Sequence, residues 1–132
     1  MRPGCSVAFV SKAVEPNGHY RPYMEDKYCI VDPFMAGEVG NETWGFFAVY
    51  DGHGGSAAAE LCEAELHKLL AKELRTALKL RRASSPLRDE QVSEALTRSF
   101  MKARIWSESL IGYRWRAWYT LRTRFYEYDS SI

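Results

Sequence analysis

The chain has 132 residues, 46% of them hydrophobic and 27% charged, which is enough for one domain and close to ordinary soluble usage. Lys and Arg number 18 and Asp and Glu 17, a formal net charge of +1, so no global field draws the chain to nucleic acid or to a membrane surface. The three cysteines, Cys5, Cys29 and Cys62, are odd in number and form no Cys-x-x-Cys pair, which argues against a disulfide framework or a cysteine zinc site.

Reduced thiols point to the cytoplasm or nucleus. No apolar run approaches the ~20 residues needed to span a bilayer. The first ten residues make a poor signal peptide, and Arg2 stands where myristoylation needs glycine. A soluble intracellular chain with no membrane partner is expected.

In chain order, residues 5–10 read as a short strand. Residues 11–20 are polar, with Pro16-Asn17-Gly18 as a turn signal. Residues 28–31 form a second apolar run of strand length, stopped by Asp32-Pro33. Residues 35–43 read as a loop carrying Gly37 and Gly40. The run Trp44–Tyr50 is almost continuously apolar and aromatic, the pattern of a strand buried on both faces. With the preceding strand and loop it suggests a hairpin, and its polar end is Asp51.

From Ser56 to Arg82 the texture becomes helical. Leu66, Leu70, Leu74 and Leu78 recur every fourth residue, with Leu69 and Ala77 widening the same face. Glu60 in the first turn and Lys79, Arg81 and Arg82 in the last suit the helix dipole, and Ser56 is a plausible cap. Ala83-Ser84-Ser85-Pro86 breaks the helix. A second helix is expected over about 89–103, with Val92, Ala95, Leu96, Phe100 and Ala103 as its apolar face. The composition shifts near residue 104. Residues 105–132 interleave Arg114, Arg116, Arg122 and Arg124 with Trp106, Trp115, Trp118 and several tyrosines. Such interleaving can bind single-stranded nucleic acid, but no motif of a nucleic-acid module accompanies it, and no nucleic-acid partner is expected.

Two short stretches carry chemistry. In Asp51-Gly52-His53-Gly54-Gly55 a carboxylate sits at the end of a strand, and glycines follow where backbone must turn or approach a ligand closely. Hard divalent cations take oxygen ligands, and a carboxylate beside a glycine carbonyl offers two. An Asp-Gly turn alone is more often just a turn; the whole run after a buried strand is more specific. In Arg21-Pro22-Tyr23-Met24-Glu25-Asp26 paired acids precede a strand, and a guanidinium four residues before Glu25 can grip phosphate through two hydrogen bonds. His19 and His67 read as surface or packing residues. No Lys-Ser/Thr follows the glycines, so this is not a Walker loop.

In order and spacing, Arg-x-x-Met-Glu-Asp, a strand, a loop and then Phe-Phe-Ala-Val-Tyr-Asp-Gly-His-Gly-Gly resemble the N-terminal signature of the metal-dependent protein serine/threonine phosphatases of the PPM (type-2C) family. The resemblance covers roughly residues 5–102. It implies an α+β fold: the N-terminal part of an α-β-β-α sandwich, truncated, with a phosphatase portion over 1–104 and a divergent tail over 105–132. It implies two-metal hydrolysis of phosphoserine and phosphothreonine in protein substrates, with two Mg²⁺ or Mn²⁺ ions as cofactors. Asp51 would bridge the ions, Gly52 would offer its carbonyl to one, and Glu25 and Asp26 would join the cluster partly through water. Arg21 would hold the substrate phosphate and His53 would protonate the leaving oxygen. The family's later motifs, including two further aspartates, are not present in these residues, so one metal position is expected to be under-coordinated. The alternative is a catalytically incomplete fragment that acts as a non-catalytic interaction or competitor protein.

Overall fold

A computed structural model describes residues 4–20, 22–52, 55–81 and 85–110. It contains two strands, β1 (Lys27–Phe34) and β2 (Trp44–Tyr50), followed by two helices, α1 (Ala57–Leu80) and α2 (Asp89–Leu110). This is the expected α+β arrangement. The strands pair antiparallel, with Lys27 opposite Tyr50, Cys29 opposite Ala48 and Val31 opposite Phe46.

Period-two alternation decides what each strand buries. Cys29, Phe46 and Tyr50 are buried on the face toward α1. The opposite face carries Tyr28, Ile30, Phe47 and Val49, and Val49 is 73% exposed. The reading of Trp44–Tyr50 as buried on both faces is therefore corrected: its aromatic run fills one face and leaves the other open. Lys12 sets its ammonium 3.8 Å from the centre of the Tyr28 ring on that open side, a cation–π contact.

Two further expectations change. Residues 5–10 are not a strand. The N–H groups of Ser6 and Val7 donate instead to the Asp32 carboxylate at 2.7 and 3.4 Å, so these two amides are satisfied by a side chain rather than by a ladder. Nor does β1 stop at Asp32. It continues through Pro33 to Phe34 across an irregularity in the pairing, and the Asp32–Pro33 bond is cis. Proline is tolerated there because a bulged edge position needs no donor. The loop over 35–43 is as expected, and the Arg75 guanidinium fastens it to α1 by donating to Glu38 Oε1 at 2.7 Å.

The leucine spacing places α1 as expected. Leu66 and Leu74 are each 1% exposed, and Leu69 and Leu70 are buried beside them. Ser56 precedes the helix, but its hydroxyl donates to the Glu60 carboxylate at 2.8 Å rather than capping an amide. α1 packs on both the hairpin and α2.

The second helix runs seven residues past its expected end. Its deepest positions are small: Ala95, Ser99, Ala103 and Ser107, spaced four apart and almost fully buried. The larger Val92, Leu96 and Phe100 lie only partly buried beside this stripe. Small residues let two helix backbones approach closely, and the Ser99 hydroxyl stays satisfied by donating to the Ala95 carbonyl at 2.7 Å.

An ion cluster joins the helices. The Glu73 carboxylate, on the buried side of α1, accepts from Arg98 Nε at 2.9 Å and from Lys102 Nζ. The Lys102 hydrogen bond, then that of Arg98, holds the Glu73 carboxyl below the usual glutamate range. A depressed folded-state value means the contribution is present above the unfolded glutamate pKa of about 4.3 and is lost as pH falls through the folded value. The melting temperatures of the wild type and Glu73→Gln should therefore differ most at neutral pH. The gap should close as pH drops below about 4. A gap that stays constant from pH 7 to pH 3 would rule the cluster out as the cause.

Candidate functional site

The polar end of β2 is where the hairpin hands the chain to α1. Asp51 lies there, exposed, and Gly52 next to it is buried. The start of β1 lies alongside because the antiparallel register puts Lys27 opposite Tyr50. This register brings the acidic pair that precedes β1 against the glycine loop that follows β2, across more than twenty residues of sequence.

The contact is specific. The Gly52 N–H donates to Asp26 Oδ1 at 3.0 Å, and the Gly55 N–H donates to Glu25 Oε1 at 3.0 Å. A Cβ on Gly52 would fall 2.2 Å from the Glu25 carbonyl oxygen, so only glycine fits. Gly55 has φ +112°, a backbone conformation side chains disfavour. Close by, the Lys27 ammonium lies 3.5 Å from the Glu60 carboxylate in the first turn of α1, tying the same end of the hairpin to the helix.

Of the six site residues expected from sequence, hydrogen bonds bring Asp26 against Gly52 and Glu25 against the nearby Gly55, and Asp51 enters only as the chain neighbour of Gly52. Arg21 and His53 lie outside the described residues. The donor set is all oxygen and suits a hard divalent cation in kind. Among the described residues no group of three or more His, Cys, Asp or Glu side chains is close enough to hold an ion.

Beneath the loop the environment is apolar. Tyr50 is 3% exposed, and its hydroxyl has no hydrogen-bond partner among the described residues. Burial, then the nearby Cys29, Cys62 and Glu63, pushes its pKa up. Burial pushes the Cys62 thiol up to about 11 and also raises Cys29, with Glu63 adding to the latter. His67 is a packing residue, as expected. Its ring centre lies 6.1 Å from that of Phe46, Nδ1 lies 3.6 Å from the Cys29 sulfur, and burial chiefly lowers its pKa. All three cysteines are unpaired and buried. The sequence pointed to the acids and the glycines but not to their mutual hydrogen bonds, for which residue spacing carries no signal.

The model of the family described as Protein phosphatase 2C matches residues 12–113. This chain belongs to the protein phosphatase 2C family. Among its relatives, Probable protein phosphatase 2C 8 of Oryza sativa subsp. japonica is 42% identical over 69 residues, covering 42% of this chain and 17% of the relative. Probable protein phosphatase 2C 49 of the same plant is 31% identical over 94 residues, covering 70% of this chain and 23% of the relative. Protein phosphatase 2C homolog 1 of Schizosaccharomyces pombe (strain 972 / ATCC 24843) is 39% identical over 61 residues, covering 46% of this chain and 16% of the relative. The chain thus spans less than a quarter of each of these phosphatases. No solved structure matches it.

Proposed function

We propose that this chain serves metal-dependent hydrolysis of phosphoserine and phosphothreonine in protein substrates, through the site at the end of β2. One observation carries the reading: at the end of the hairpin the acidic pair accepts from the glycine run that follows β2, Asp26 from the Gly52 amide and Glu25 from the Gly55 amide. In this reading Asp51 and the Gly52 carbonyl hold Mg²⁺ or Mn²⁺, two ions in the complete family site, with Glu25 and Asp26 bordering them. A divalent ion bound there supplies a water of lowered pKa and offsets negative charge on the phosphoryl oxygens.

The chain's own residues divide the remaining work. Arg21 grips the phosphate through paired N–H groups. Water oxygen joins the phosphorus, the phosphorus–oxygen bond to the serine or threonine breaks, and His53 protonates the departing oxygen. A cysteine nucleophile would need a thiolate at neutral pH. Cys29 and Cys62 are buried, and burial raises both thiols, so neither serves as a nucleophile in this reading. Three buried, unpaired cysteines also support a cytoplasmic or nuclear setting.

The test is phosphate release from a phosphothreonine peptide by the purified chain. Release should require Mn²⁺ and stop on adding EDTA. A folded chain that releases no phosphate with Mn²⁺ present would overturn the reading for this chain and leave it a non-catalytic relative.

A further inference from the structure

The two acidic residues do something at this site that an oxygen-ligand role does not require. Asp26 spends Oδ1 on the Gly52 amide and Glu25 spends Oε1 on the Gly55 amide, both at 3.0 Å. The Gly52 N–H belongs to the peptide plane that joins Asp51 to Gly52, so fixing that N–H fixes the backbone from which the Asp51 carboxylate projects. The absence of a Cβ on Gly52 lets the Glu25 backbone come close enough for both bonds to form. Hydrogen bonds from an amide to a carboxylate are charge-assisted and strongly orienting.

We propose that Glu25-Asp26 is a clasp that fixes the Gly52 and Gly55 amides before any ion arrives, and that Asp26 is a positioning residue acting through the Gly52 amide. What Asp26 contributes to the Gly52 backbone is an acceptor oxygen at a fixed place. The backbone at Asp51–Gly52 is held by the chain's own hydrogen bond, so an ion binding there need not first order it, and groups that orient ligands are commonly worth about 10–100-fold in affinity. The proposal rests on the site reading above only for its second measurement.

The test compares Asp26→Asn, which keeps a side-chain carbonyl acceptor, with Asp26→Ala, which keeps none. First, amide hydrogen exchange is measured at Gly52 by NMR on the metal-free chain. Protection is expected in the wild type and in Asp26→Asn, with exchange at least about tenfold faster in Asp26→Ala. Second, Mn²⁺ affinity is measured by calorimetry. Asp26→Asn should bind Mn²⁺ more tightly than Asp26→Ala, which should fall below wild type by about 10–100-fold. A wild-type Gly52 amide that exchanges as fast as that of Asp26→Ala overturns the clasp. So does an Asp26→Asn variant as weak for Mn²⁺ as Asp26→Ala. If Asp26→Ala does not fold, loss of Gly52 protection in a folded Asp26→Asn chain overturns it equally. A wild type that binds no Mn²⁺ yet keeps the protection pattern sinks the divalent-ion reading and supports the clasp.

Discussion

Gly52→Ala is expected to lower phosphatase turnover about 10²-fold while leaving the helices folded. The new Cβ would sit 2.2 Å from the Glu25 carbonyl oxygen and 2.9 Å from its carbonyl carbon, both backbone atoms that cannot swing aside as a side-chain tip can. Relief requires the loop to retreat by about 1 Å, the scale of misplacement that costs that much in rate. The same retreat stretches the Gly52–Asp26 hydrogen bond from 3.0 Å. The measurement is kcat/KM on a phosphothreonine peptide at saturating Mn²⁺, with circular dichroism to confirm helix content. Gly18→Ala is the control, because nothing lies within 4 Å of a Cβ there. Turnover within threefold of wild type in Gly52→Ala would mean the loop's closeness to Glu25 is irrelevant to the chemistry.

Leu74→Ala should lower stability by about 2–5 kcal/mol. Leu74 is 1% exposed and belongs to the one core cluster that runs from the hairpin through α1 to α2. Truncation leaves a cavity within that cluster, and the surrounding elements can close the gap only in part. Against a usual net stability of ~5–15 kcal/mol, that is a large share. Urea unfolding followed by circular dichroism reads it as a lower midpoint at unchanged slope. Leu80→Ala, at an 81% exposed position, should change the midpoint little. Equal effects from the two leucines would show that α1 is not the centre of the core.

The helices and the hairpin were legible because their signals are local. Four-residue leucine spacing marks α1, and an apolar run bounded by a glycine-bearing loop marks the strand pair. What was not legible depends on partners far along the chain. Residues 5–10 have a strand's composition, yet the Asp32 carboxylate claims the Ser6 and Val7 amides first. In α2 a ranking by side-chain size favours Val92, Leu96 and Phe100, whereas depth is decided by how closely the helices approach, which favours Ala95, Ser99, Ala103 and Ser107. At the site, residue types alone favoured an ordinary turn and a solvated acidic face, and it was the order and spacing of the two stretches, through their family resemblance, that pointed to Glu25, Asp26, Asp51 and Gly52. The bonds from Gly52 to Asp26 and from Gly55 to Glu25 span 26 and 30 residues, and only the strand register closes that distance.

The open face of the hairpin has a colloidal consequence. A mean hydropathy of −0.37 suggests a readily soluble chain, but that average mixes charged helices with a sheet face of Tyr28, Ile30, Phe47 and Val49. Each strand of a two-stranded sheet is an edge strand, and an apolar face beside unpaired edge amides is a template for sheet-to-sheet stacking. The attraction is short-ranged and apolar, so salt that screens the charged helices will not weaken it. Val49, 73% exposed on that face, is where a charge in the Val49→Lys variant would oppose such stacking most directly.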